Sequence, residues 1–203
     1  MSANLGPSAI QYNGTTVSLS GVVSGSVLVV FSPYSSTSPT DTFATPYTWT
    51  QFGSGYGVFI GTGGEGTSGD VTAFTSSSGS FIVVAASNTA PGSGLAVLDP
   101  GSDETSSDTA SVTPTLSGDL ALFFMVGQYG LFDNVVISVP TTVLGTGNEI
   151  LGYPAWVASV SETSPLPDVA ITMSANGFGG AVSISAVLVA GLPSATSPIV
   201  MIV

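Results

Sequence analysis

Carboxylates are the only side chains in this sequence that could supply acid–base or metal-ligand chemistry. The 203 residues include 12 Asp and Glu and no Lys, Arg, His or Cys, so the net charge is -12. Without His and Cys there is no conventional zinc, haem or iron–sulfur ligand set, no Cys nucleophile and no Ser-His-Asp relay. Without Lys there is no Schiff base and no Walker lysine. Two chemistries stay open, namely glycoside hydrolysis and calcium binding.

Glycoside hydrolysis needs only two carboxyl groups, one protonated and one ionised. No pair of carboxylates in this sequence has a special context. Most of them stand beside Gly, Ser or Pro, where turns are expected and where Asp caps backbone amides. We therefore expect that the protein is not an enzyme.

Calcium is a better use of the same residues because it takes only oxygen ligands. The densest acidic cluster gives the weak calcium candidates Asp99, Asp103, Glu104 and Asp108. Their spacing does not match the alternating Asp pattern of a known calcium loop. Solvated acids in a linker are the favoured interpretation, so no cofactor is expected, with calcium as the alternative.

Aromatic side chains provide candidate contacts for a glycan, because an exposed ring can stack on a sugar face. The candidates are Tyr47, Tyr56, Tyr153 and Trp156. Strand alternation over Thr48–Phe52 puts Trp49 on the face opposite Phe52, so these aromatics cannot all face one way. Core packing of Trp49 or Phe52 is the favoured alternative.

The absence of cationic side chains also restricts the partners. Phosphate backbones would be repelled, so nucleic-acid binding is not expected. Binding to an anionic membrane surface is not expected for the same reason. No apolar run approaches the roughly 18 residues of a membrane span, and the start lacks the basic and apolar regions of a signal peptide. The expected partners are further copies of the chain and other structural subunits.

The last five residues form an apolar run that could make an assembly contact: Ile199, Val200, Met201, Ile202 and Val203. A strand that is apolar on both faces does not suit an edge in water. It belongs in a buried position, either in its own fold or added to the sheet of a neighbouring subunit. The sequence leaves these two alternatives open.

Strands must position all of these residues, because helix signals are nearly absent. Short runs of Val, Ile, Phe and Thr are broken by Gly, Pro, Asn or Ser about every 8–12 residues, which is typical of an all-β chain. The predicted strands are Thr15–Leu19, Val27–Ser32, Thr48–Phe52, Tyr56–Gly61, Val71–Thr75, Phe81–Ala86, Leu95–Leu98, Ser111–Thr115, Leu120–Val126, Val135–Val139, Trp156–Val160, Val169–Ser174, Val182–Val189 and Ile199–Val203.

The two halves of the sequence echo each other in the same order. The run Ser24–Phe31 corresponds to Ser117–Phe124, and Asp70–Ser76 corresponds to Asp168–Ser174. These matches predict two similar tandem β-sandwich halves of jelly-roll or immunoglobulin-like type. The predicted domains are a first repeat over 1–98, an acidic linker or loop over 99–108, and a second repeat over 109–203 that ends in the apolar strand.

Four motifs of the first repeat carry a resemblance to known proteins: Ser24-Gly25-Ser26-Val27, Trp49-Thr50-Gln51-Phe52-Gly53-Ser54-Gly55, Asp70-Val71-Thr72-Ala73-Phe74 and Phe81-Ile82-Val83-Val84-Ala85. In this order they resemble tandem β-sandwich modules of phage virion structural proteins and bacterial surface proteins. The second repeat lacks a Trp at the position matching Trp49. The resemblance implies a structural or adhesive role and brings no catalytic residues.

These observations predict a non-enzymatic structural protein of a large assembly, most simply a phage virion component such as a head decoration, fibre or tail protein. The first alternative is a subunit of an extracellular filament or cell-surface layer that assembles by β-strand contacts. The second is a carbohydrate-binding adhesin module. The expected location is the virion, with the extracellular space or cell surface as the alternative.

Overall fold

The fold was analysed in a computed structural model of the chain. It describes residues 3–12, 14–32, 35, 37–52, 57–73, 81–87, 95–100, 107–113, 120–127, 132–138, 142–147, 155–161, 171–177 and 182–189. Within these ranges every regular element is a β-strand and every strand pair is antiparallel. The prediction of an all-β chain is confirmed for this part of the protein.

Eight strands occupy the N-terminal half. They are β1 (Asn4–Gln11), β2 (Thr16–Ser20), β3 (Val27–Ser32), β4 (Thr40–Asp41), β5 (Thr48–Phe52), β6 (Gly57–Thr62), β7 (Ser68–Thr72) and β8 (Phe81–Ser87). They form two sheets. Sheet 1 has the strand order β1-β8-β3-β6-β5, and sheet 2 has the order β2-β7-β4.

Eight further strands follow in the C-terminal half. They are β9 (Leu95–Pro100), β10 (Ser107–Val112), β11 (Leu120–Gly127), β12 (Phe132–Ile137), β13 (Thr142–Gly147), β14 (Ala155–Ser161), β15 (Ile171–Gly177) and β16 (Val182–Val189). Sheet 3 has the order β13-β14-β11-β16-β9, and sheet 4 has the order β10-β15-β12. Counted from β9, these are the strand orders of sheets 1 and 2 again.

Strand pairing in each half is nested, which means that the first strand pairs with the eighth, the second with the seventh and the third with the sixth. In the first half β1 pairs with β8, β2 with β7, and β3 with β6. In the second half β9 pairs with β16, β10 with β15, and β11 with β14. The outer pair and the third pair share a five-stranded sheet, whereas the middle pair forms the core of a separate three-stranded sheet.

Sheet 1 is buried on both faces, which explains why its central strands are continuous apolar runs rather than alternating ones. On β3, Leu28 and Val30 join side chains of sheet 2, including Val17 and Val71, in one apolar cluster. The alternate positions of β3 point the other way, as the period of two requires. They belong to a second cluster, which we call the central cluster.

The central cluster joins the two halves of the chain. It contains Val29 and Phe31 from β3 together with Leu122 and Phe124 from β11. The rings of Phe31 and Phe124 are stacked, with centroids 4.9 Å apart and planes at 21°. Sheet 3 therefore packs on the face of sheet 1 that sheet 2 leaves open.

Sheet 3 is also covered on its other face. Ala121, Phe123 and Met125 of β11 alternate with the central-cluster residues and are fully buried. From sheet 4, β10 lies against β16 and β9, and its side chains Ala110 and Val112 are buried. The described contacts thus place sheets 2 and 3 on opposite faces of sheet 1, with β10 of sheet 4 beside β16 and β9 of sheet 3.

The sequence predicts most of the described strands and misses three of them. Val27–Ser32, Thr48–Phe52 and Val182–Val189 have the predicted bounds. The missed strands are β1, β4 and β13. β1 contains Gly6 and Pro7, β4 has only two residues, and β13 contains two glycines, so none of them shows the apolar or alternating pattern of a strand.

The glycine-rich segment Gly61–Gly66 resembles a phosphate loop in sequence, but no lysine follows it and no helix is predicted after it, so the sequence predicts a flexible hairpin loop. The structure shows that this prediction is wrong. β6 pairs with β3 and β5 in sheet 1, whereas β7 pairs with β2 and β4 in sheet 2. The segment therefore crosses between sheets. The error arose because a glycine-rich stretch between two apolar runs marks a sharp change of direction but not the partner of the next strand.

The predicted domain limits meet the strands as follows. β9 was attributed to the first repeat, yet it pairs with β16 in sheet 3. The acidic stretch over 99–108 contributes Asp99 to β9 and Asp108 to β10. No described segment forms a helix of the length and apolarity needed to cross a membrane.

Candidate functional site

The side chain of Asp41 organises the most connected polar site among the described residues. Asp41 lies at the end of β4, at the edge of sheet 2. Its Oδ2 accepts a hydrogen bond from the Tyr47 backbone N–H at 3.0 Å and another from the Trp49 indole Nε1 at 2.9 Å. Its Oδ1 accepts one from the Phe43 backbone N–H at 3.3 Å. The carboxylate thus ties sheet 2 to the start of β5 in sheet 1.

Three aromatic rings surround this carboxylate. Phe43 and Tyr47 meet edge to face with centroids 5.2 Å apart, and the Tyr47 and Trp49 centroids are 6.0 Å apart. Phe43 is 3% exposed and Tyr47 is 6% exposed. We call Phe43, Tyr47 and Trp49 the aromatic corner. It fills the end of the space between sheets 1 and 2.

Two glycines leave room for the rings of Trp49 and Tyr47 to pack directly against the backbone. A Cβ atom on Gly61 would stand 3.0 Å from Trp49 Cζ3, because the indole packs across β6. A Cβ atom on Gly64 would collide with the ring of Tyr47. The glycine-rich segment that resembles a phosphate loop thus serves to accommodate aromatic rings.

Glu65 holds the same segment in place through its backbone. Its N–H donates to the Thr45 carbonyl, and the Thr45 N–H donates to the Glu65 carbonyl, both at 2.9 Å. Together these bonds form an isolated bridge next to the aromatic corner. The Glu65 side chain is exposed, so the acidic group does not enter the corner.

Chemically, the hydrogen bonds of Asp41 hold two sheets together at this corner. Within the part of the chain that the structure describes, the carboxylate in the corner is that of Asp41, and it already accepts three N–H donors. Elsewhere in the described chain, Asp70 accepts a 2.6 Å hydrogen bond from the Ser18 hydroxyl across β2 and β7. No group of three or more metal-ligating side chains occurs within the described ranges.

The structure removes Tyr47 from the exposed aromatics that were candidates for glycan contact, because its ring is packed inside the aromatic corner. It also confirms that Trp49 and Phe52 point to opposite faces, since Trp49 packs on the sheet 2 side and Phe52 on the central cluster. Trp156 lies in β14, where its backbone pairs with Val126 and Gly147. The side chain of Trp156 and the residues Tyr56 and Tyr153 lie outside the described set.

The other predicted site residues are placed only in part. Asp99 pairs with Ala186, and Asp108 pairs with Ala175, so the backbones of these two calcium candidates belong to different sheets. The remaining candidates lie outside the described residues: Asp103, Glu104, Ile199, Val200, Met201, Ile202 and Val203. The calcium site and the assembly contact stay predictions.

Sequence reasoning missed Asp41, although one signal could have indicated it. In Asp41-Thr42-Phe43, an Asp precedes a segment without regular structure, where its side chain can accept hydrogen bonds from backbone amides two residues on. The bond from the Trp49 indole could not be foreseen, because it depends on sheets 1 and 2 being stacked.

The hydroxyl group of Tyr47 is buried and makes no hydrogen bond with any described group. Removing an unsatisfied buried polar group relieves its desolvation cost, which is about 1–3 kcal/mol. We therefore expect Tyr47→Phe to leave the free energy of unfolding at neutral pH unchanged or to raise it by about 1 kcal/mol. Urea denaturation of the two proteins measures this difference.

The same substitution has a pH signature. Burial, and secondly the charge of Asp41, raise the pKa of Tyr47 above its ordinary value of 10.0. Above pH 10 the unfolded chain loses this proton while the folded chain keeps it, so the stability of the wild-type protein falls as the pH rises further. The advantage of Tyr47→Phe should therefore grow between pH 9 and 11. A Phe variant that is less stable at neutral pH, or a difference that does not change with pH, would contradict this account.

The chain matches no protein-family model, and neither the curated proteins nor the solved structures gave a match.

Proposed function

We propose that this protein is a non-enzymatic structural subunit of a large assembly, built from two jelly-roll halves and serving most simply as a virion component. The observation that carries the proposal is the nested strand pairing, which occurs once in β1–β8 and again in β9–β16. Eight strands rolled into two sheets are the mark of the jelly roll, an architecture found in viral capsid and lectin domains.

The packing of the two halves supports a passive, rigid role. Phe31 and Phe124 hold equivalent places on the third strand of each half, and they stack on each other. A contact between equivalent positions is what a two-fold relation between two similar units produces. Two halves joined through the central cluster would act as one block of four sheets, and not as two flexibly linked beads.

The chemistry of the described residues supports the same role. In the aromatic corner, the Asp41 carboxylate accepts three hydrogen bonds from N–H groups of the protein itself. With no cationic side chain in the sequence, no salt bridge between side chains can form, so cohesion rests on apolar burial and backbone ladders. A fold alone does not determine a function, so the proposal has to be tested by assembly.

Sedimentation velocity of the full chain, from nanomolar to high micromolar concentration, tests the proposal. A structural subunit should form discrete oligomers or large particles in this range. A chain that stays monomeric throughout and binds one glycan on a sugar panel would instead be the carbohydrate-binding module. Turnover of a glycoside, abolished by changing one carboxylate, would overturn the non-enzymatic assignment.

The second candidate is a subunit of an extracellular filament or surface layer. A specific feature favours it over a generic assembly: β5 forms one edge of sheet 1, and no described strand pairs with its outer side. Strand addition between neighbours propagates along one direction and gives a filament when the operation does not close.

A further inference from the structure

The edges of the two five-stranded sheets differ in how they are protected. An unprotected edge strand is a template for pairing with another chain, and proteins block it with prolines, bulges or charges. β1 contains Pro7 and an irregularity between Leu5 and Ser8. β9 ends at Pro100 and has a register shift opposite Ala186 and Val187. Three of the four edges carry such features once β13 is included, with its shift between Val143 and Gly145.

β5 is the exception. Its five residues pair with β6 in unbroken register from Thr48↔Thr62 to Phe52↔Val58. It contains no proline and no charged residue, and no described strand pairs with its other side. Thr48 and Thr50 are exposed on this edge.

The position of β5 restricts what a strand added there must look like. Trp49 packs towards the sheet 2 side of sheet 1, and Phe52 packs towards the central cluster. A neighbour of β5 would therefore lie beside the partly buried Trp49 on one face and the partly buried Phe52 on the other. A strand with apolar side chains on both of its faces would cover both of these rings.

One segment of the chain fits this requirement. Ile199–Val203 is apolar at every position, and no other stretch outside the sixteen strands has an apolar run of this length. Residues 190–198 connect it to the end of β16, and an extended chain advances about 3.3 Å per residue. Nine residues in extended conformation therefore span about 30 Å.

We infer that β5 is the acceptor edge for the apolar segment Ile199–Val203 of a second copy of this chain, which adds to sheet 1 as a sixth strand. The inference rests on the proposed assembly function and names its contact. It turns the two alternatives for the apolar segment into one, namely addition in trans.

The chain has no native cysteine, so every disulfide in a cross-linking test must come from the introduced cysteines. One population carries Thr50→Cys, and a second, distinguished by an isotope label, carries Val200→Cys, Met201→Cys or Ile202→Cys in separate variants that scan the register. The mixed populations are oxidised gently and the disulfide-linked species identified by intact mass. The inference predicts mixed-label dimers with at least one donor position. Ser20→Cys, an exposed hydroxyl position on the edge strand β2, is the matched control and should give none.

Two outcomes overturn the inference. A chain that carries Thr50→Cys together with a donor cysteine could close on itself at high dilution while the mixed populations give no dimers, which would place the segment on its own subunit. Equal cross-linking at Ser20→Cys, or none at Thr50→Cys, would exclude β5 as the acceptor.

Charge at the edge provides a second variant that does not depend on disulfide geometry. Thr50→Lys puts a cation on the exposed side of β5, whereas Ser20→Lys puts one on β2. Assembly measured by sedimentation should fall to the monomer for Thr50→Lys and for a chain cut after Ser197, but not for Ser20→Lys. If both of the first two variants still assemble as the wild type does, the inference fails and the proposed function stands. If the wild-type chain never assembles, the proposed function fails as well.

Discussion

Replacing Phe31 by alanine is expected to lower the free energy of unfolding by about 3–5 kcal/mol. Phe31 is fully buried, and its ring stacks on Phe124 in the central cluster. The substitution removes a large apolar side chain and leaves a cavity between sheets 1 and 3 that neither sheet can close without moving. Guanidinium denaturation followed by far-ultraviolet circular dichroism measures the loss. Phe31→Leu, which keeps most of the volume, is the milder companion variant.

The Phe124→Ala variant shows whether the two halves are coupled. If sheets 1 and 3 share one core, the double substitution should cost less than the sum of the two single ones, and the difference should be about 0.5–1.5 kcal/mol. All variants should unfold in a single transition, since each sheet of the pair loses a covered face when the other unfolds. Additive effects, or two separate transitions in the wild-type protein, would show that the halves fold independently.

Replacing Asp41 by alanine is expected to cost about 2–4 kcal/mol, because it leaves three N–H donors in a partly buried corner without their acceptor. Two of these donors, on Phe43 and Tyr47, belong to the backbone between β4 and β5. The third is the indole of Trp49, so the variant should also shift tryptophan emission to longer wavelength. Urea denaturation and fluorescence give the two measurements.

Two further variants distinguish the role of Asp41 from a general effect of charge. Asp41→Asn keeps the shape but replaces one acceptor oxygen by a donor, so it should recover only part of the loss. Asp70→Ala removes a carboxylate that accepts an exposed hydrogen bond from Ser18, and it should cost less than about 1 kcal/mol. If Asp70→Ala proved as damaging as Asp41→Ala, the aromatic corner would not depend on its carboxylate.

The sequence predicts much of the fold because local pattern and tertiary environment agree in the central strands. Val27–Ser32 is apolar at all but its last position, and it lies between two covering layers. β1 was missed because its strand is held by pairing with β8 and not by its own composition, which includes Pro7. The two-residue β4 is a strand because it pairs with β7, and two residues are too few to show a strand pattern in the sequence.

The candidate site was less predictable than the fold. Aromatic residues were recognised around Trp49, yet whether a ring faces solvent or the core depends on which sheet covers it. The Tyr47 ring can be buried because Gly64, in the segment between β6 and β7, has no side chain that would collide with it. Asp41 acquires its role from a contact between two sheets. Such contacts have no signature in the sequence of either segment alone.

Electron microscopy of native material, imaged from its natural source without disassembly, tests the central claim most directly. The proposed structural subunit should appear as the repeating element of a shell, a tail or a filament. Neighbouring copies should be related by a fixed symmetry operation, with β5 at the contact. Single, separate particles of monomer size in the native material would contradict the account.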